Sequence, residues 1–164
     1  EQLESYYQSV LGDDDGFFQK FLQKNGQYDA VLSHIKHLIA KGGIQYATRR
    51  AILVVPHIID NPEDITPLGL VAVYIAPRML EDDVILDFTF TWRTVEAMVG
   101  FPYSLYGSVR YAEKILETVQ RECLPSQGSR LKMGTLSYLA HSFHMFLDKP
   151  YTQIIRGIIN DASV

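Results

Sequence analysis

The chain has 164 residues, 47% of them hydrophobic, one cysteine and a formal net charge of -4 at pH 7. This composition excludes a disordered polymer and a disulfide-stapled miniature, and it describes one domain over residues 1 to 164 with enough apolar mass to bury its own core. The acidic balance excludes a broad electrostatic grip on nucleic acid, so no direct nucleic-acid binding is expected. With no apolar run of about 18 residues and no signal-like N-terminus, no membrane partner is expected either. A lone Cys123 cannot form an internal disulfide, and the expectation is a soluble, cytoplasmic protein. Because the sequence opens at Glu1 without a methionine, a fragment or trimmed product is expected.

Residues 1 to 26 carry the clusters Tyr6-Tyr7 and Phe17-Phe18 around the acidic run Asp13-Asp14-Asp15, which predicts two short helices as an N-terminal extension. The acids lack the alternation and distal glutamate of a calcium loop and read as a helix cap. From Tyr28, the residues Val31, Leu32, Ile35, Leu38 and Ile39 share one helical face, and Lys41-Gly42-Gly43 supplies the stop. His34 and His37 lie off that stripe without an evident third ligand, so solvated histidines are expected and no metal site.

Arg49-Arg50 then leads into the apolar run 51 to 55, which has the length and branching of a buried strand. Paired guanidinium forks at a strand mouth suit an anion, although an isolated pair is more often simply solvated. Three prolines between 56 and 67 mark a loop, 68 to 76 predicts a second strand, and 77 to 83 a turn.

The sharpest pattern runs from 86 to 93. Leu86, Phe88, Phe90 and Trp92 alternate with Asp87, Thr89, Thr91 and Arg93, the two-residue period of a half-buried strand. The period shifts towards helical at Val95, Met98 and Val99, and a helix from about Pro102 to Cys123 places Leu105, Val109, Ala112, Ile115, Leu116 and Val119 on one side. Arg93, Thr94 and Glu96 are thereby delivered to one mouth. A surface loop over 124 to 130, a last strand over 132 to 146 and a helical tail over 150 to 159 complete an α+β fold: a mostly consecutive sheet with one long helix.

Three blocks in order resemble the thymidylate synthase and dCMP hydroxymethylase family, over about two thirds of the chain. Thr48-Arg49-Arg50 with its following strand resembles that family's Ser-Arg-Arg element. Trp92-Arg93-Thr94 with Gly100-Phe101-Pro102-Tyr103-Ser104 resembles its Gln-Arg-Ser segment and Gly-(Leu/Val)-Pro-Phe-Asn helix start. Met133-Gly134-Thr135 and Ser142-Phe143-His144-Met145-Phe146 are similar to its Val-Gly-Asp and Asp-Thr-His-Leu-Tyr elements. The resemblance implies a homodimer packed sheet against sheet around a mixed sheet and a long central helix, with a pyrimidine nucleotide as ligand. Arg93 and Thr94 would hold its phosphate, with Arg49 and Arg50 reaching across from the second subunit. Ser104 falls at the base-reading position, His144 at the nucleoside-contacting histidine and Glu96 at the aspartate facing the folate.

The departures bear on mechanism. Where the family places its nucleophilic cysteine after a proline, this chain has Pro67-Leu68, and a leucine has no lone pair with which to form the covalent adduct. Phe146 replaces the ribose-bonding tyrosine, and Cys123 stands at the far end of the long helix. Three readings follow: a catalytically silent nucleotide-binding pseudoenzyme; an enzyme of altered chemistry on a nucleotide or nucleoside, with Glu96, His141 or His144 as acid-base groups; and a dimerising scaffold whose arginines merely pair with carboxylates. The residues demand no cofactor, and the resemblance admits a folate.

Overall fold

A computed structural model describes residues 26–40, 48, 50–55, 69–81, 83–123, 131–146, 152, 153, 155–157 and 160. In chain order these form helix α1 (Gln27–Ala40), strands β1 (Ile52–Val54), β2 (Leu70–Leu80), β3 (Asp83–Trp92) and β4 (Val95–Glu96), helix α2 (Gly100–Cys123), and strands β5 (Leu131–Ala140) and β6 (Phe143–His144). Four strands form one sheet in the order β1-β2-β3-β5, while β4 and β6 form a small second sheet. β2 lies antiparallel to β1 and β3, and β5 lies parallel to β3, so the sheet is mixed. A parallel neighbour requires a crossover, and α2 provides it between β3 and β5. The architecture is therefore α+β, with a mixed, consecutive sheet and a long helix.

The alternation in β3 sets the layering. Leu86, Phe88, Phe90 and Trp92 are at most 3% exposed, whereas Asp87, Thr89 and Thr91 are half-buried and Arg93 is exposed. The aromatic face packs beneath the helices, with the Phe90 ring edge-on to Tyr111 of α2 at 6.5 Å. Burying each such side chain contributes about 1.5–3 kcal/mol. α1 adds Tyr28, Val31, Leu32 and Ile35 to the same core, and the Tyr28 hydroxyl donates to Thr118 Oγ1 of α2 at 3.3 Å.

For the secondary-structure elements, the structure corrects the sequence reading at five places. The run 51 to 55 is an edge strand, not a fully buried one: Leu53 is buried while Ile52 and Val54 are 41% and 44% exposed, because the helices cover only one face of the sheet. β2 continues through Pro77 to Leu80, where a turn was expected. Ile75 N–H points to β1, bonding Ala51 O at 2.8 Å, so the donor Pro77 lacks also belongs to the side away from β3 and the β2–β3 ladder survives. Residues 95 to 99 form β4 and a turn instead of helix. The last strand stops at Ala140, and 143 to 144 form the separate β6 paired with β4. The buried stripe of α2 is rotated towards Ser104, Ser108, Tyr111, Ala112, Ile115 and Val119, with Leu105, Val109 and Leu116 half-buried. Both serines occupy core positions because their hydroxyls donate to helix carbonyls, Ser104 to Phe101 O at 3.1 Å and Ser108 to Ser104 O at 2.8 Å.

The described residues of the tail are helical. The N-terminal extension, the acidic run, Arg49, Leu68, the loop over 124 to 130 and the side chain of Cys123 lie outside the described residues. Among the described residues no helix is long and apolar enough to cross a membrane.

Candidate functional site

Three distant segments meet at the end of β3. The chain bends at Arg93, whose N–H donates to Gly69 O at 2.6 Å at the start of β2, and Arg93 O accepts from Ser142 N at 3.1 Å. Val95 N donates to Ser142 O at 2.8 Å and Ala97 N to His144 O at 2.9 Å, which extends the β4–β6 pairing. The backbone approach between Gly69 and Thr94 is too close for a side chain, since a Cβ on Gly69 would come within 2.6 Å of Thr94 O. This convergence brings Thr94 Oγ1 to 3.0 Å from His144 Nδ1, across 50 residues of sequence. Arg93, the residue before Thr94, is exposed, His144 is half-buried, and the Phe146 ring meets the imidazole edge-on at 5.2 Å.

Glu96 lies at the same mouth with its carboxylate engaged. Oε1 accepts from Met98 N at 2.8 Å, and Oε2 accepts from Val99 N at 2.7 Å and Gly100 N at 2.9 Å, so the side chain caps the N-terminus of α2. Burial pushes its acidity one way, but the donations from Gly100, Met98 and Val99, with the field of His144, outweigh it and hold the carboxyl below the usual range. A carboxylate so held is a poor proton shuttle and a good helix anchor.

Ser104 is 5% exposed and faces β5. Its hydroxyl lies 2.7 Å from the Tyr138 hydroxyl while donating to Phe101 O, so its proton is committed within the helix. Tyr138 stacks on Trp92 at 5.7 Å and meets Phe101 edge-on at 5.3 Å, and Phe101 meets Phe143 at 5.6 Å. This aromatic row runs from the core out to Phe143, which is 60% exposed.

Arg50 is placed elsewhere within the protomer. It precedes Ala51, which bonds Ile75, whereas Arg93 bonds Gly69; six residues of β2 separate these points, about 20 Å of strand. Arg50 opens onto a cavity of about 310 Å³ lined by Gln27, Ala30, Val31, His34 and Ile52. His34 Nε2 lies 2.7 Å from Thr48 Oγ1, the Arg50 N–H donates to the same hydroxyl at 3.1 Å, and the Tyr74 hydroxyl donates to Thr48 O. His34 is thus half-buried and bonded where a solvated side chain was expected, because β1 docks beside α1; His37 is exposed. Gln27 also escaped the sequence reading: its amide donates to Val54 O at 3.0 Å and accepts from Val54 N at 2.9 Å, sealing part of the sheet edge. His141 is exposed, and its N–H donates to Trp92 O at 2.9 Å. Among the described residues no three His, Cys, Asp or Glu side chains are grouped to hold a metal ion.

Chemically, the mouth offers a hydroxyl and an imidazole in contact and, one residue before that hydroxyl in the chain, an exposed arginine, residue types that suit a tetrahedral anion with a polar organic group attached. No family model matches the chain, and no curated protein matches it.

Proposed function

We propose that this is a thymidylate-synthase-like protein that binds a pyrimidine nucleoside monophosphate at Arg93, Thr94 and His144 and carries out no methyl transfer. The observation that carries the reading is the 3.0 Å contact of Thr94 Oγ1 with His144 Nδ1, which joins two of the blocks on which the resemblance rests, beside an exposed arginine. A phosphate would take a forked pair of donors from Arg93 and the hydroxyl of Thr94, leaving the imidazole for the sugar. Leu68 at the nucleophile position removes covalent attack on the pyrimidine ring. The engagement of Glu96 with three backbone N–H groups argues against acid-base chemistry at that carboxylate and so against the altered-chemistry reading through Glu96. The engaged hydroxyl of Ser104 gives it the smaller part in reading the base.

The reading includes a homodimer. The sheet face opposite the helices carries Ile52, Val54, Leu80 and Leu139, each 41–56% exposed, together with Thr89, Thr91 and the Arg78–Asp87 and Lys132–Asp83 ion pairs, and a second copy packed against it would remove the apolar part of that surface from water. The distance of about 20 Å along β2 between Arg93 and Arg50 suits a clamp in which Arg49 and Arg50 reach the phosphate of the partner.

Calorimetric titration with dUMP, dCMP, UMP and CMP tests the reading. Binding of at least one is expected, weakened about tenfold or more in Arg93→Ala through loss of a charged hydrogen bond. Silence towards all four, with Arg93→Ala as stable as the parent, overturns it.

A further inference from the structure

We propose that the cavity between α1 and the free edge of β1 is a second small-molecule site, which takes a primary carboxamide, or the same donor and acceptor pair on a ring lactam, against the backbone of Ile52. It is independent of the nucleotide reading at Arg93. β1 is an end strand of its sheet. Ala51 O accepts from Ile75 N at 2.8 Å and Val55 N donates to Val71 O at 2.9 Å, so Ile52 and Val54, opposite Tyr74 and Ala72, turn their own N–H and C=O groups away from β2 to the open edge.

Val54 shows what that edge accepts. Both of its outward groups are taken by one side-chain amide, Val54 N donating to Gln27 Oε1 at 2.9 Å and Gln27 Nε2 donating to Val54 O at 3.0 Å. Two residues earlier, the same pair of groups on Ile52 has no partner among the described residues, and Ile52 borders the cavity of about 310 Å³. The reason lies in α1, where Gln27, Ala30, Val31 and His34 line the cavity as one stripe at helical spacing. The ends of that stripe are engaged, Gln27 with Val54 and His34 with Thr48, and between them Ala30 and Val31 carry no hydrogen-bonding side chain.

The same closures select the ligand. A strand running along the edge is not admitted, because Gln27 occupies Val54 on one side and the Arg50 N–H is held by Thr48 Oγ1 at 3.1 Å on the other. The occupant is a single amide. An ordinary secondary amide is trans and points its N–H and C=O in opposite directions, whereas a primary carboxamide or a ring lactam presents both on one edge, as Gln27 does. A volume of about 310 Å³ stands at the small end of ligand cavities and suits a one-ring molecule, for which Ala30, Val31 and Ile52 provide apolar wall.

Amide NMR titration tests the site with three probes: benzamide as the primary carboxamide, 2-pyridone as the ring lactam, and N-methylbenzamide, whose donor and acceptor point apart. Benzamide or 2-pyridone is expected to move the Ile52 N–H signal, and which of them does so separates the two sources of the edge. N-methylbenzamide should bind about tenfold more weakly, having lost one hydrogen bond. Ile52→Pro deletes the donor at an edge position where the ladder does not use it, and saturation-transfer NMR should show benzamide and 2-pyridone weakened about tenfold. Ala30→Gln places a second amide on the stripe beside Ile52 and should abolish binding, and this variant decides the matter if circular dichroism shows that Ile52→Pro does not fold. An Ile52 signal that no probe moves, equal binding of N-methylbenzamide, or undiminished binding in Ala30→Gln overturns the proposal.

Discussion

Gly134 has no room for a methyl group: a Cβ there would lie 2.0 Å from Asp87 Oδ1 and 2.5 Å from Ile85 Cγ2. The space is taken by a polar knot in which Arg78 Nε donates to Asp87 Oδ2 at 2.6 Å and Thr135 N donates to Oδ1 at 2.7 Å. Gly134→Ala is expected to cost about 2–3 kcal/mol in urea unfolding, as a small-to-large change against a held neighbour. The Arg78 guanidinium holds the Asp87 carboxyl below the usual carboxylate range; partial burial opposes it and the Thr135 N–H adds to it. A carboxylate with a depressed folded value contributes stability that is in place above its unfolded value, about pH 4, and lost as pH falls through the folded value. The cost of Asp87→Asn should therefore be full at neutral pH and shrink in acid, and the same cost at about pH 7 and about pH 2 would sink this account. Gly69→Ala acts at the mouth, where the added carbon must displace Thr94 O, so nucleotide affinity should fall more than stability does. Neither glycine's role was visible in the chain, because each depends on a strand brought alongside from elsewhere.

Helix α2 begins where it does because Glu96 collects three N–H groups of its first turn. Glu96→Gln should cost about 1 kcal/mol at neutral pH, read by thermal or urea unfolding, and the difference should diminish in acid, since this carboxyl too is held below its usual range. Phe90→Ala, at 0% exposure against Tyr111, should cost about 3–5 kcal/mol. Both α1 and β3 were legible because their periods are strong over eight residues or more. The short strands were not: β4 and β6 have two residues each, too few to display a period, and they exist through pairing with one another. The burial of α2 was misjudged by about one helical position, because hydropathy gives no weight to serines that return their hydroxyls to the helix.

In the proposed dimer, the open sheet face is the seam. Leu139→Lys and Ile52→Lys, at 51% and 41% exposure, should leave the isolated fold intact and shift sedimentation from dimer to monomer. A wild-type protein that sediments as a monomer at high concentration would remove the partner from the phosphate clamp, while Arg93, Thr94 and His144 would remain together in one protomer. The two outcomes separate the assembly from the mouth.

Reading residues in order was enough to establish the α+β class, the half-buried β3, the helix over 27 to 40 and the residue types gathered near Arg93, because local period and side-chain chemistry need no partner. Which of those residues meet was decided by tertiary structure. The β4–β6 pairing and the backbone bonds at Arg93 and Ser142 set Thr94 against His144; the β1–β2 register carries Arg50 away; and the turn after β4 converts Glu96 from a candidate acid into a helix cap. Each of these is a contact between segments, and a sequence period reports the face a residue takes on its own element while remaining blind to what stands opposite.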